Sequence, residues 1–479
     1  MNSGHCMDLW AVVPEMLLAG LALALVPVAA FVRGQWRALP AAVAIIGLAA
    51  SMAVTVVVLP TTSTTAFCGT YAVDRLATFY RLAIEFAAFV SVIVLDAYFR
   101  DHRQQAHAPV LLLFATVGGL GLAASLDLGL ILLFLQIVSV AGYLLVILVR
   151  SDRSAQEASL KYFIYGGAAL AVMGYGLSLL FGLTGRLDLP GIGAVLADAD
   201  PVWIVVAFGF VFLGYAFEVT LAPFHFWAPD VYQGASAPAA GFISVVPKIA
   251  AFAALLRFLL EGLPHHAVVW SPVMAAVAVV TMTLGNLAAL RQHDLKRLLA
   301  YSSIAQAGYV LMGIAVALRS NGAVAAVNFY LLAYLLMNLA AFLVVAVLER
   351  AGGADARPAL KGLARRSPGW AAVFAVALLS LAGIPPFAGF AGKVLLLTAA
   401  LDGHMTWLAV AAALNMAVGL YYYAVVIAEM FFMPSAHLKP IVAGIGMAGA
   451  AALTTLGTIA LGVMPGAALG LANTPYWTP

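Results

Sequence analysis

Fourteen apolar runs, each long enough to cross a lipid bilayer, leave this chain few ways to fold. They fall at about 9–31, 39–60, 77–98, 108–125, 127–149, 159–183, 202–232, 236–261, 270–290, 295–318, 324–349, 371–400, 403–433 and 441–469. Hydrocarbon offers no partner to a free backbone N–H or C=O, so such runs span as helices. The expected fold class is an all-α polytopic membrane protein of about 14 transmembrane helices; the tight junctions at Ser125 and Gly234 leave the count open by one or two. Of 479 residues, 65% are hydrophobic and 9% charged, with mean hydropathy +1.05, far outside the range of a soluble domain. The first run is too long for the apolar core of a signal peptide and no small-residue cleavage site follows it, so it is expected to stay in the chain.

Lys and Arg divide between alternate loops fifteen to four, the minority being Arg75, Arg81, Arg186 and Arg319. Cytoplasmic loops hold the excess, which puts both termini on the far side of the membrane. The net charge of +3 thus reads as an orientation signal, with no nucleic acid as partner. The loop from Arg350 to Arg366 is expected to do no more than fix topology. Cys6 and Cys68 have neither CxxC nor metal-ligand spacing and read as two isolated thiols; they share the outer face, where a disulfide is allowed but not forced. The sequence contains no Gly-rich nucleotide loop, haem-attachment motif or iron–sulfur cysteine set, so no bound redox cofactor is expected in the chain.

The stretch Tyr215–Lys248 stands out within this frame. An apolar helix carrying Glu218 is interrupted at Pro223 and Pro229, and a second helix carries Lys248 directly after Pro247. A broken backbone and a charge persist in hydrocarbon only where they face protein or a wetted cavity. A matching interruption occurs at Pro385-Pro386-Phe387, with Lys393 close by. The two breaks lie five helices apart, and a five-helix unit crosses the membrane an odd number of times, so its second copy is inverted. The division read from this is 1–107 for helices 1–3, 108–262 for the first five-helix repeat, 263–433 for the second, inverted repeat with broken helices 7 and 12 as counterparts, and 434–479 for helix 14.

Each intramembrane polar residue has a structural reading beside the functional one. Lys161, near a helix start, either snorkels to the interface or joins an ion path. Lys248, about twelve residues into its helix, cannot snorkel easily and reads as a site, and Lys393 resembles it. Glu218 is either a protonated core residue or part of the path. Glu85 can pair with Arg81 one turn earlier. Glu429 is expected at the interface, and His225 is expected to cap the broken backbone, with proton relay as the other reading. Gln136 and Gln306 can line a wetted path without carrying charge. Lys161, Glu218, Lys248, Gln306 and Lys393, one per helix, are expected to form a hydrated axis near mid-depth.

The strings P-F-H-F-W-A-P-D-V-Y-Q-G-A-S-A-P, S-V-V-P-K, D-L-K-R-L-L-A-Y-S-S-I-A-Q-A-G-Y and G-I-P-P-F-A-G-F-A-G-K resemble subunit N of bacterial proton-pumping NADH:quinone oxidoreductase, respiratory complex I, nearly continuously from Asp74 to Leu420. They are closer to subunit N than to its antiporter-like sisters L and M or to the multisubunit sodium/proton antiporters. The resemblance implies a fourteen-helix fold in the bacterial inner membrane with periplasmic termini, beside subunit M and the small K-, J- and A-type subunits. It implies no cofactor here, with NAD, FMN, iron–sulfur clusters and quinone in other subunits, and it assigns Lys161, Lys248 and Lys393 to the proton axis. The chain departs from the family where a glutamate is replaced by Gln136, a lysine by Glu218 and a frequent histidine by Gln306. Three functions follow: a proton-conducting subunit in which Glu218 pairs with Lys248 or Lys161, a structural subunit that fills its slot without conducting, and a subunit of a cation/proton antiporter complex.

Overall fold

The computed structural model describes residues 8–58, 63–100, 102–148, 152–197, 200–352, 356–434 and 440–472. Among the described residues, thirteen helices are long and apolar enough to span: α1 Leu9–Phe31, α2 Trp36–Val57, α3 Arg75–Tyr98, α4 Gln104–Ala124, α5 Leu128–Ile147, α6 Arg153–Thr184, α7 Pro201–Glu218, α9 Ala237–Gly262, α10 Pro264–Ala289, α11 Leu295–Ala315, α12 Ala323–Gly352, α15 Thr406–Phe432 and α16 Ile445–Val463. The expected seventh span continues past α7 into the short α8, Trp227–Gly234. The expected twelfth is two short helices, α13 Pro368–Ala382 and α14 Ala388–Asp402. The fourteen expected crossings are thus all present as helices, two of them broken. Between α2 and α3 a small antiparallel hairpin pairs β1 Thr64–Ala66 with β2 Tyr71–Val73.

Helix starts follow local chemistry. Asp74, Asp127, Asp152, Asp200 and Asp294 each accept a backbone N–H of the first turn of α3, α5, α6, α7 and α11, which satisfies donors that a helix start leaves free. Packing then sorts the helices into layers. α9 is buried on every side and α11 and α12 nearly so, while α1, α2, α6, α10, α15 and α16 expose much of their apolar surface. In a membrane protein that outer surface meets lipid or another subunit. Lys248 and Arg257 on α9 and Lys296 on α11 are therefore enclosed by protein, while Arg297 at the start of α11 is part-exposed.

The two breaks have the same build. α7 ends with Leu221 N–H donating to the Ala216 carbonyl (2.7 Å) and α13 with Ile384 N–H donating to that of Leu379 (3.0 Å). The residue before each donor is left-handed, Thr220 at φ 60° and Gly383 at φ 87°. This is the six-to-one closure of a Schellman motif, and each position in the second break lies 163 residues after its counterpart in the first. The Ala222–Pro223 and Pro385–Pro386 peptide bonds are cis.

Several expectations fail at the level of side-chain partners. Arg81 does not pair with Glu85: its guanidinium binds Glu15 (2.8 Å), which reaches it from α1. The loop after α12 does more than set topology, since Arg357 makes a two-pronged contact with Glu429 (2.7 and 3.0 Å) and donates to the Gln292 and His293 carbonyls. Glu429 is accordingly tied to that loop and largely shielded. Cys68 is disulfide-bonded and not a free thiol, against the reading of two isolated thiols; Cys6 lies outside the described residues.

Candidate functional site

The first break opens around Thr220. Its hydroxyl accepts from the Lys248 ammonium at 2.8 Å, and Lys248 also donates to the Ser303 hydroxyl (2.6 Å) and carbonyl (3.2 Å). Lys248 is buried on α9, with the Tyr334 ring 5.9 Å away. Among the described residues, no carboxylate lies within ion-pair distance of it. The freed backbone of the break is capped by others: Ala222 N–H donates to Thr281 Oγ1 (3.1 Å) and the Trp227 indole to the Phe217 carbonyl (3.1 Å). His225 was expected in that role, but its buried Nδ1 has no hydrogen-bond partner. Pro247 sits inside α9, and Pro229 starts no further break, lying within α8.

At the second break Lys393 on α14 reaches back over the end of α13. Its ammonium donates to the carbonyls of Leu381 (2.7 Å) and Ala382 (3.0 Å) and lies 5.0 Å from the centre of the Tyr309 ring. Carbonyls at a helix C-terminus lack intrahelical donors and carry the negative end of the dipole, so a cation fits there. Gly383 gives it room: a Cβ there would sit 2.8 Å from Lys393 Cδ. Pro385 and Pro386 occupy the turn itself.

Helix α11 joins the two lysines. Ser303 binds Lys248 on one side. Its neighbour Ser302 bonds Tyr423, whose hydroxyl accepts from the Gln306 amide at 3.2 Å. The same amide donates to the Leu381 carbonyl (3.2 Å) that holds Lys393, and Gln306 accepts from Tyr330. Ser303 also bonds the Tyr334 hydroxyl (2.7 Å), which donates to the Ser244 carbonyl (3.1 Å). A polar thread thus runs along α11 between the two lysines in two hydrogen-bonded segments, Lys248 to Ser303 and Ser302 through Tyr423, Gln306 and the Leu381 carbonyl to Lys393, which meet at the adjacent residues Ser302 and Ser303 with no hydrogen bond between them among the described residues.

Glu218, Lys161 and Gln136 do not join that thread as expected. Glu218 is buried; one oxygen accepts from the Ser139 hydroxyl (3.3 Å), and the other is unpartnered. It pairs with neither Lys248 nor Lys161. The reason is local: Glu218 ends α7 on the side of α5, whereas Thr220, past the helix end, turns toward α9. Lys161 is part-exposed, bridging Glu157 (2.7 Å) and Asp230 (2.8 Å). Asp230 also binds Arg297 at 2.6 Å, and a polar cavity of about 170 Å³ opens here between Ser154, Glu157, Lys161, Asp230 and Gln233. Gln136 lies on the exposed face of α5, in line with Leu133, Val140 and Leu144, and lines no interior path.

Sequence reasoning missed Thr220, Ser303, Asp230 and the tyrosines of α12. One of these was within reach. Asp230 sits 163 residues before Lys393, the spacing that relates the two breaks, so the repeat places an acid and a base at equivalent positions. A further buried cluster, Arg257 with Asp74 (2.7 Å) and Glu261 (2.9 Å), closes the other end of α9 and carried no sequence signal beyond a lone arginine in an apolar run.

Comparison with known proteins agrees with this architecture. The family described as NADH:quinone oxidoreductase/Mrp antiporter, TM, matches residues 125–419. NADH-quinone oxidoreductase subunit N 1 of Solibacter usitatus is 40% identical over 417 residues, 85% of each chain. Subunit N of Coxiella burnetii is 39% identical over 415 residues, again 85% of each. Among solved structures, a chain of respiratory complex I from Thermus thermophilus with bound aureothin is 32% identical, with a TM-score of 0.83 over 96% of this chain and 100% of that one. A chain of the Mrp complex from Dietzia sp., 21% identical with a TM-score of 0.86 over 98% of this chain and 97% of that one, shares the fold. With relatives of this identity over most of both chains, the protein belongs to the family of NADH-quinone oxidoreductase subunit N, the antiporter-like membrane subunits of respiratory complex I.

Proposed function

We propose that this chain conducts protons across the bacterial cytoplasmic membrane as a membrane-arm subunit of a proton-translocating NADH:quinone oxidoreductase. NADH oxidation and quinone reduction belong to other subunits, which hold NAD, FMN, iron–sulfur clusters and quinone; this chain carries none of them. The fifteen-to-four bias of basic loop residues supports periplasmic termini. The exposed apolar faces suit lipid and the neighbouring subunits, subunit M and the small K-, J- and A-type chains. The matching breaks support the division into 1–107, two inverted repeats at 108–262 and 263–433, and 434–479.

The observation that carries the reading is the thread from Lys248 to Lys393. An ammonium held by hydroxyl and carbonyl oxygens, with no fixed anion to pin its charge, can hand a proton on, and two such lysines in a membrane interior are costly unless they work. Protons collect at the cavity of Lys161, Asp230 and Arg297, pass to Lys248 at the first break, and move by way of Ser303 and Gln306 to Lys393. Gln136 stands outside this path, and His225 and Glu218 flank it at the break.

A second reading, a subunit that seals the membrane without conducting, draws support from Glu218, which has Ser139 and no cation as its contact. The deciding experiment is NADH-driven proton uptake into inverted vesicles, with the electron-transfer rate, for wild type and Lys248→Met once assembly is verified. Loss of proton uptake is the expected result. An unchanged proton-to-electron ratio and rate would overturn the proposal and favour the sealing role.

A further inference from the structure

Helices α1–α3 precede the residues that the family match covers, and they hold a buried ionic cluster that the thread does not use. Glu85 on α3 is fully buried. The Ser51 and Thr55 hydroxyls of α2 both donate to its Oε1, the latter at 3.1 Å, and its Oε2 is buried without a partner. One turn earlier, Arg81 is turned away toward Glu15: Nε lies 2.8 Å from Glu15 Oε1, and the guanidinium donates to the Tyr71 hydroxyl and the Ala11 carbonyl, both at 2.9 Å. Tyr71 in turn donates to Glu15 at 2.7 Å.

The cluster therefore sets two carboxyl groups against one guanidinium. Arg81 and Glu15 are the charged groups whose field reaches Glu85; its contacts from α2 are hydroxyls. A buried charge without a counter-ion is the costliest arrangement open to such a group, and a single proton removes it. Glu15 has the cation in contact, so the proton belongs on Glu85. At 1.5 Å per residue Glu85 lies about 15 Å along α3 from Arg75 and about 20 Å from Tyr98. Tyr71, Glu15, Arg81 and Glu85 succeed one another inward from the end of the bundle that carries the β1–β2 hairpin.

We propose that Glu85 is a proton-binding site of this chain, outside the two five-helix repeats, exchanging its proton with the hairpin side by way of Glu15. In the exchange the O–H bond on Glu85 breaks and one forms on Glu15. The cluster keeps one anion and one cation throughout, the cation being Arg81, which stays in contact with Glu15. This site stands on its own observations and does not require the Lys248 thread to conduct.

The test is infrared spectroscopy of the intact complex, following the carbonyl stretch of a protonated carboxylic acid. Glu85→Gln keeps an oxygen for Ser51 and Thr55 to donate to but cannot ionise. The wild-type-minus-Glu85→Gln difference is expected to show an acid band that shifts in D₂O, that persists in Lys248→Met, and whose deuterium shift slows at least several-fold in Glu15→Gln. Ser51→Ala with Thr55→Val leaves the acid in place and is expected to move the band to higher frequency. No difference band between wild type and an assembled Glu85→Gln complex would overturn the proposal, as would an unmoved band in the double variant should Glu85→Gln fail to assemble. A D₂O shift at the wild-type rate in Glu15→Gln would overturn the route.

Discussion

Lys296 and Glu349 form a buried ion pair whose two halves should not be equally expendable. Lys296 at the start of α11 binds Glu349 of α12 at 2.8 Å, and both side chains are at most 5% exposed. Glu349 also accepts from Ala237 N–H (2.9 Å) and the Tyr98 hydroxyl (2.9 Å), while Lys296 donates in addition to the Ala235 carbonyl (2.7 Å). Glu349→Leu strands an ammonium with one carbonyl, leaves the buried Ala237 amide short of an acceptor and removes a contact of the part-buried Tyr98 hydroxyl. Losing one partner of a buried pair costs about 3–5 kcal/mol, and each orphaned donor adds about 1–3 kcal/mol, so this variant should lie at or above the top of the first range. Lys296→Met leaves a carboxylate that still has two donors, so its cost should fall near the lower end of that range, about 3 kcal/mol. Removing both charges should cost less than the sum of the two single changes, because the stranded ion is gone. The assay is the temperature at which this subunit becomes protease-sensitive within the solubilised complex, read by immunoblot for wild type, both single variants and the double. The expected order is Glu349→Leu below Lys296→Met, with the double variant above the additive value. A Lys296→Met variant less stable than Glu349→Leu, or strict additivity, would refute the reasoning. Ala235 and Ala237 lead into α9, so the pair also helps to set the height of Lys248.

Two further outcomes can be checked separately. Gly383→Ala should lower proton uptake per electron several-fold without blocking assembly. The new Cβ lies 2.8 Å from Lys393 Cδ at a φ of 87°, and only the flexible lysine can give way; a wild-type ratio in vesicles would count against Lys393 needing its place on α13. On the loop before the short helix Leu189–Leu196, Arg186 bonds both Asp188 oxygens (2.7 and 2.8 Å) and holds that carboxyl below its ordinary range, while Asp188 accepts from Gly191 N–H. A depressed carboxyl stabilises above its unfolded value, near pH 4, and loses that contribution as the pH falls through the folded value. Asp188→Asn should therefore speed amide exchange in this short helix at neutral pH and leave it unchanged once the pH is below the folded value; an equal effect at both would show that charge is not involved.

Much of this protein can be read from its chain because hydrocarbon is an exacting solvent. Length and hydropathy alone point to about fourteen crossings, the prolines mark both interruptions, and the burial of Lys248 follows from its distance to the nearest helix end. The motifs carried family membership as well. What needed tertiary structure is the facing of each helix and the partner of each charge. In a run that is apolar all round, periodicity holds no record of which side meets lipid, so Gln136 could be read as interior although it lies on the outer face of α5. Glu218 and Thr220 sit two residues apart, yet the left-handed turn between them sends one to Ser139 and the other to Lys248. Arg81 passes over Glu85, one turn away, for Glu15 on another helix, and Lys296 finds Glu349 across 53 residues of sequence. Such pairings are set by which helices lie side by side, and that is decided by packing across the whole bundle, where small residues and shape count for more than any local signal.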